Sequence, residues 1–137
     1  MKQDKELLLK DICARLPYNV RVEYNGTTLT NIFDVLGIAH GRIMLCLPFM
    51  SKTECPLIEE VKPYLFPLSS MTEEQKYTCP IGVANLETFI KNEPWTYLEL
   101  NPDSILRFVN WLNKNHYDYR GLIPKGLAID ATGKNIY

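Results

Sequence analysis

Hydrophobic positions at the start of the chain repeat with a helical period. Leu8, Ile12 and Leu16 recur at four-residue steps, and Leu9 and Cys13 widen the stripe. Asp4 caps the opening turn and Pro17 stops the run, so an amphipathic helix is expected over 5–15. The period then changes from helical to alternating. Val20, Val22 and Tyr24 alternate with Arg21 and Glu23, which predicts a strand with one dry face. Asn25-Gly26 follows at once and supplies the positive φ angles of a type I′ hairpin turn. A two-residue turn there pairs Tyr24 with Thr27 and Val22 with Leu29. The apolar run "NIFDVLGIA" leads to a second turn at His40-Gly41, and "RIMLCL" reads as a buried strand ended by Pro48. "IEEV", before Lys62-Pro63, is the expected fourth strand.

Between residues 48 and 70, Pro48, Pro56, Pro63 and Pro67 predict extended and turning chain. "SSMTEEQ" is a helix start, with a capping box from Ser70 and Glu73 or from Thr72 and Gln75. Cys79-Pro80 and Gly82 end that helix. "LETFI" fits helix or strand, and "WTYLEL" reads as a strand. The best helix signal is "NPDSILRFVNWLNKN": Asn101 caps, Pro102 takes the first helical position, and Asp103 favours the positive dipole end. Ile105, Phe108, Val109 and Leu112 share a face, flanked by Leu106 and Trp111. The tail "GLIPKGLAIDATGKNIY" is too apolar to be disordered and is expected to pack over the body.

These elements define an α+β fold: a small antiparallel β-meander or SH3-like partial barrel, packed by an N-terminal and a C-terminal helix. The 137 residues suffice for one domain with its own core. Residues 1–66 form a helix-plus-meander layer, and 67–137 a mainly helical layer wrapped by the tail. Neither half alone has enough core.

Composition narrows the function classes. A net charge of −1 lacks the basic footprint of a general nucleic-acid binder, and no polybasic segment points to an anionic membrane. The longest apolar run, "IMLCLPFM", is too short to span a bilayer. Cys13, Cys46, Cys55 and Cys79 are irregularly spaced without a CxxC pair, and His40 and His116 lie far from any cysteine pair, so no metal or other cofactor is expected. Without an export signal, the expected compartment is reducing cytosol with free thiols. Cys13 and Cys46 sit in apolar runs and are expected in the core. Cys55 and Cys79 precede prolines and are expected nearer the surface. Glu59-Glu60 and Glu73-Glu74 are adjacent carboxylates that cannot share one face, so they make poor metal clamps. "DATGKN" lacks phosphate-loop spacing and reads as a turn.

The densest chemistry is the run His116-Tyr117-Asp118-Tyr119-Arg120. As an acid–base site, His116 carries the proton while Asp118 or Arg120 steers it. As an anion site, Arg120 forks onto a phosphate or carboxylate while Tyr117 or Tyr119 stacks on a base. The plainer reading is a helix C-terminus, with the histidine at the negative dipole end and Asp118 paired with Arg120 across a turn. The eight tyrosines fit a recognition surface, and equally the edge of a core.

Three blocks, "KELLLKDICARLPY", "EEVKPYLFPLSSMTEEQ" and "WLNKNHYDYRGLIPKGLAIDATG", cover residues 5–18, 59–75 and 111–133. They resemble a family of small proteins encoded by phages, prophages and mobile elements of anaerobic gut bacteria. The resemblance implies such an origin and a host-cell cytosolic location; the family has no assigned activity, so no site residue follows from it. The expected function is a non-enzymatic binding protein acting on a host protein. The alternatives are binding of a small anionic ligand such as a nucleotide, or an enzyme using His116.

Overall fold

A computed structural model describes residues 2–24, 32–47, 53–92 and 101–137, apart from the side chains at 2, 83 and 92. The architecture is α+β, with a helix at the start of the element order, three more helices in its second half and a mixed sheet that includes two strands after the last helix. Helix α1 (Lys2–Arg15) runs into a 3₁₀ turn at Leu16–Tyr18 that contains Pro17. Strands β1 (Arg21–Glu23), β2 (Ile32–Ala39), β3 (Arg42–Cys46) and β4 (Thr53–Glu54) are successively antiparallel. Strand β5 (Lys62–Pro67) adds antiparallel to β1. Two short later strands, β6 (Tyr117–Asp118) and β7 (Ile129–Asp130), both run parallel to β5. The order is β4-β3-β2-β1-β5-β6, with β7 also on β5.

The β2–β3 turn is the expected His40-Gly41 pair, with φ of 54° and 74°, the left-handed values that a two-residue primed turn requires. The register of the first hairpin differs from expectation. Val22 pairs with Phe33 rather than Leu29, and Glu23 with Ile32. Val22 and Phe33 are both fully buried, and a register that puts two apolar side chains on the core face outweighs a local turn preference. The Asn25-Gly26 turn itself, with Thr27 and Leu29, lies outside the described residues, as does the expected "WTYLEL" strand. "IEEV" is not a strand: Ile58–Glu60 form a 3₁₀ turn, closed by Leu57 N–H donating to the Glu60 carboxylate at 2.9 Å. The strand comes immediately afterwards and runs through Pro63 and Pro67, each of which removes a ladder donor and masks the strand pattern in the sequence.

Helix α2 (Glu73–Tyr77) uses the Thr72–Gln75 capping box of the two foreseen. "LETFI" lies within helix α3 (Val83–Asn92). Helix α4 (Pro102–Lys114) begins as expected, with Ser104 N–H donating to Asn101 Oδ1 at 2.8 Å. Its core-facing side chains are Phe108 and Leu112; Leu106 is 58% exposed and faces away from the core rather than flanking it.

One core cluster joins Leu8 and Ile12 of α1 to Val22, Phe33, Ile43 and Leu45 of the sheet. A second joins Leu86 and Phe89 of α3 to Phe108, Leu112 and Tyr117. Strand β5 and the tail fill the space between with Leu65, Leu122 and Ala128 on one side and Tyr64, Ala131 and Ile136 on the other. Two cysteines exchange their expected places: Cys13 is exposed and Cys79 is buried. Cys13 follows Ile12 and is turned about 100° off the buried stripe, whereas Cys79 closes α2 against Met71 and Ile81. Cys46 is half-buried and Cys55 exposed.

Candidate functional site

The last turn of α4 reverses at His116, whose φ of 61° lies in the left-handed region. Its N–H donates to Asn113 O at 3.1 Å, and its carbonyl accepts from Phe66 N–H at 2.8 Å, so the reversal docks directly onto β5. Tyr117 is buried between Trp111 and Phe66, at centroid distances of 5.4 and 6.5 Å. Burial raises its hydroxyl pKa to about 12. The Asp118 carboxylate accepts the amides of Leu122 and Ile123, both at 2.9 Å, and so caps the turn that follows. It does not pair with Arg120. Tyr119 donates its hydroxyl proton to Asn113 Oδ1 at 2.8 Å.

Arg120 reaches across to α1. Its Nη1 donates to Asp11 Oδ1 at 2.9 Å. Asp11 is itself held by Arg15: Nε donates to Oδ2 at 2.9 Å and Nη2 to Oδ1 at 3.0 Å. Arg15 Nη2 also donates to the carbonyl of Tyr117 at 2.6 Å. Asp11 and Arg15 are completely buried. Such a pair holds only because each charge is matched and hydrogen-bonded; a lone member would face the whole desolvation cost. The Tyr119 ring carries both guanidinium groups, Arg120 Cζ at 4.6 Å and Arg15 Cζ at 5.4 Å from its centroid.

His116 is 7% exposed and its ring stacks on Tyr137 at 3.6 Å and 10°. Burial, then the nearby Arg15 charge, push its pKa down to about 4 against a smaller opposing effect of Asp11. A neutral, covered imidazole next to a guanidinium is poorly placed to receive a proton from a substrate. Tyr137 is fixed in turn, its hydroxyl donating to Tyr64 O at 2.8 Å and accepting from Arg21 N–H at 2.9 Å.

The structure therefore separates the five expected site residues. His116, Tyr117 and Asp118 are buried and hold the chain reversal, while Tyr119 and Arg120 are half-buried. Asp118, Tyr119 and Arg120 line a cleft of about 500 Å³ whose other walls include Pro67, Leu68, Phe89, Ile123, Pro124 and Lys125. Sequence reasoning missed Asp11 and Arg15, and with them the cleft residue Lys125. The signal for the first two was present: Leu8, Asp11, Ile12 and Arg15 share one helical face, so an acid and a base four residues apart lie on the buried stripe rather than the solvated one.

Among the described residues no group of three or more His, Cys, Asp or Glu side chains is arranged to hold a metal ion, and no helix is long and apolar enough to cross a membrane. Comparison with family models, curated proteins and solved structures returns no match.

Proposed function

We propose that this chain is a non-enzymatic binding protein of phage or mobile-element origin that acts on a host protein in the cytosol of the host cell, gripping an anionic group in the cleft at residues 118–125. The observation that carries this reading is the cleft itself. Its roughly 500 Å³ lie within the range of binding sites, and its wall brings Arg120 and Lys125 together on a largely apolar lining. The rigid mounting of Arg120 supports it further. Its tie to Asp11 and its stacking on Tyr119 remove much of the entropy that a long cationic side chain loses on binding.

The test is capture from host lysate, read by mass spectrometry. Tyr117→Ala is a poor probe because it opens the core, so the surface is tested with Lys125→Glu. Lys125 is exposed and makes no ion pair with a described residue. The variant should melt with the wild-type protein and lose the captured partner. Equal capture by both proteins removes the cleft from the function.

A further inference from the structure

The lining of the cleft is selective in both charge and shape. Arg120 commits Nη1 to Asp11, and its side chain remains 23% exposed, with no other donor bonded to a described residue. Lys125 stands on the same wall. Asp118 also lines the cleft, but both its oxygens accept backbone amides, which stabilise its charge locally. Of the charged groups on this wall and behind it, Arg15, Arg120 and Lys125 are positive and Asp11 and Asp118 negative, three charges against two. The excess is a single positive charge. A monoanion neutralises it, whereas a phosphate dianion leaves a negative charge over in a half-apolar site.

The shape of the wall favours an aliphatic body over a nucleobase. A nucleobase stacks on the face of an aromatic ring or on a guanidinium plane. The Tyr119 ring already carries two guanidinium groups. Phe89 is 2% exposed and meets Phe108 edge-on, at 5.0 Å and 86°. What the cleft presents instead is aliphatic: Pro67, Leu68, Ile123 and Pro124.

From this combination we infer that the cleft binds a carboxylate carried on an aliphatic body, with Arg120 and Lys125 on the carboxylate and Pro67, Leu68, Ile123 and Pro124 around the chain. A guanidinium edge matches the two oxygens of a carboxylate. The same chemistry is offered by a free medium-chain acid and by the C-terminus of a polypeptide ending in an aliphatic residue. The inference rests on the reading of the cleft as the capture surface.

Calorimetric titration of the full chain separates the cases. The probes are octanoate, octanamide, an acetylated tetrapeptide ending in leucine as free acid and as amide, adenosine monophosphate and inorganic phosphate. At least one of the two carboxylates should bind, and which one identifies the source. Each neutral amide should bind at least tenfold more weakly than its acid, and both phosphates should be no better than the amides. Lys125→Glu should weaken carboxylate binding at least tenfold, and Lys125→Arg should restore it. The inference is overturned if neither carboxylate binds, if acid and amide bind alike, if adenosine monophosphate binds as tightly as the better carboxylate, or if Lys125→Glu leaves carboxylate binding unchanged. Should Lys125→Glu abolish capture from lysate while no carboxylate binds, the capture reading stands and this inference alone falls. Should Lys125→Glu abolish carboxylate binding while capture is unchanged, the carboxylate site stands and the capture reading falls.

Discussion

One carboxylate, Asp11, is shared by two guanidinium groups, one from its own helix and one from the far end of the chain. Beside them sits a histidine that burial and Arg15 keep neutral. In the unfolded chain His116 takes up a proton near pH 6.5, whereas in the folded protein it does so only near 4. Protons therefore favour unfolding between those values. The contribution is whole above about pH 6.5 and is lost progressively as the pH falls toward 4. Chemical denaturation at pH 7.5 and 5.0 should register a loss of about 2 kcal/mol that is absent from His116→Asn. Asparagine tolerates the left-handed backbone at this position and does not titrate. An equal loss in both proteins would assign the acid sensitivity to other groups. At this scale the sequence offered residue types but not their surroundings. The cluster at 116–120 stood out because five polar or aromatic side chains are contiguous, yet contiguity says nothing of which are inside. His116, Tyr117 and Asp118 turned inward because the chain reverses at 116 and docks on β5, a strand far back in the sequence at Lys62–Pro67.

Among elements, the legible ones announced themselves locally. Helix α4 has its cap, its proline and its apolar face within one window, and α1 likewise shows its stripe and its stop. The Asn101 cap should be worth about 1 kcal/mol; Asn101→Ala should lower the urea midpoint accordingly without changing the slope. A change in slope would mean that the cap also shapes the compactness of the unfolded or folded chain. Elements held by distant partners were not legible. Strand β5 is proline-containing and two of its neighbours, β6 and β7, are only two residues long, so no alternating pattern marks them. The register of β1 against β2 was likewise set by burying Val22 with Phe33 rather than by the turn motif between them.

Across the whole molecule, β5 is the common wall. It meets β1 on the side of the first core, and through Phe66 it touches the second. The tail seals the remaining surface with Leu122, Ala128, Ala131 and Ile136. That the tail packs onto the body was readable from its aliphatic content; that the chain after α4 contributes two strands parallel to β5 was not. Ile136→Ala should cost about 2–4 kcal/mol, and tryptophan fluorescence and far-UV circular dichroism should still report one coincident transition. If protease removes residues beyond 120 while the melting temperature stays constant, the tail is not part of the cooperative unit.

The bond from Arg15 to the carbonyl of Tyr117 spans 102 residues, and that from Arg120 to Asp11 spans 109. During synthesis, α1 emerges from the ribosome long before either partner exists. Until then its buried face carries an aspartate and an arginine with only each other for company, in water. Leu8 and Ile12 can pack on the first strands early, but Asp11 and Arg15 gain their remaining partners only when residues 117–120 arrive. In nascent molecules this cluster should thus stay incomplete until residues 117–120 have left the ribosome.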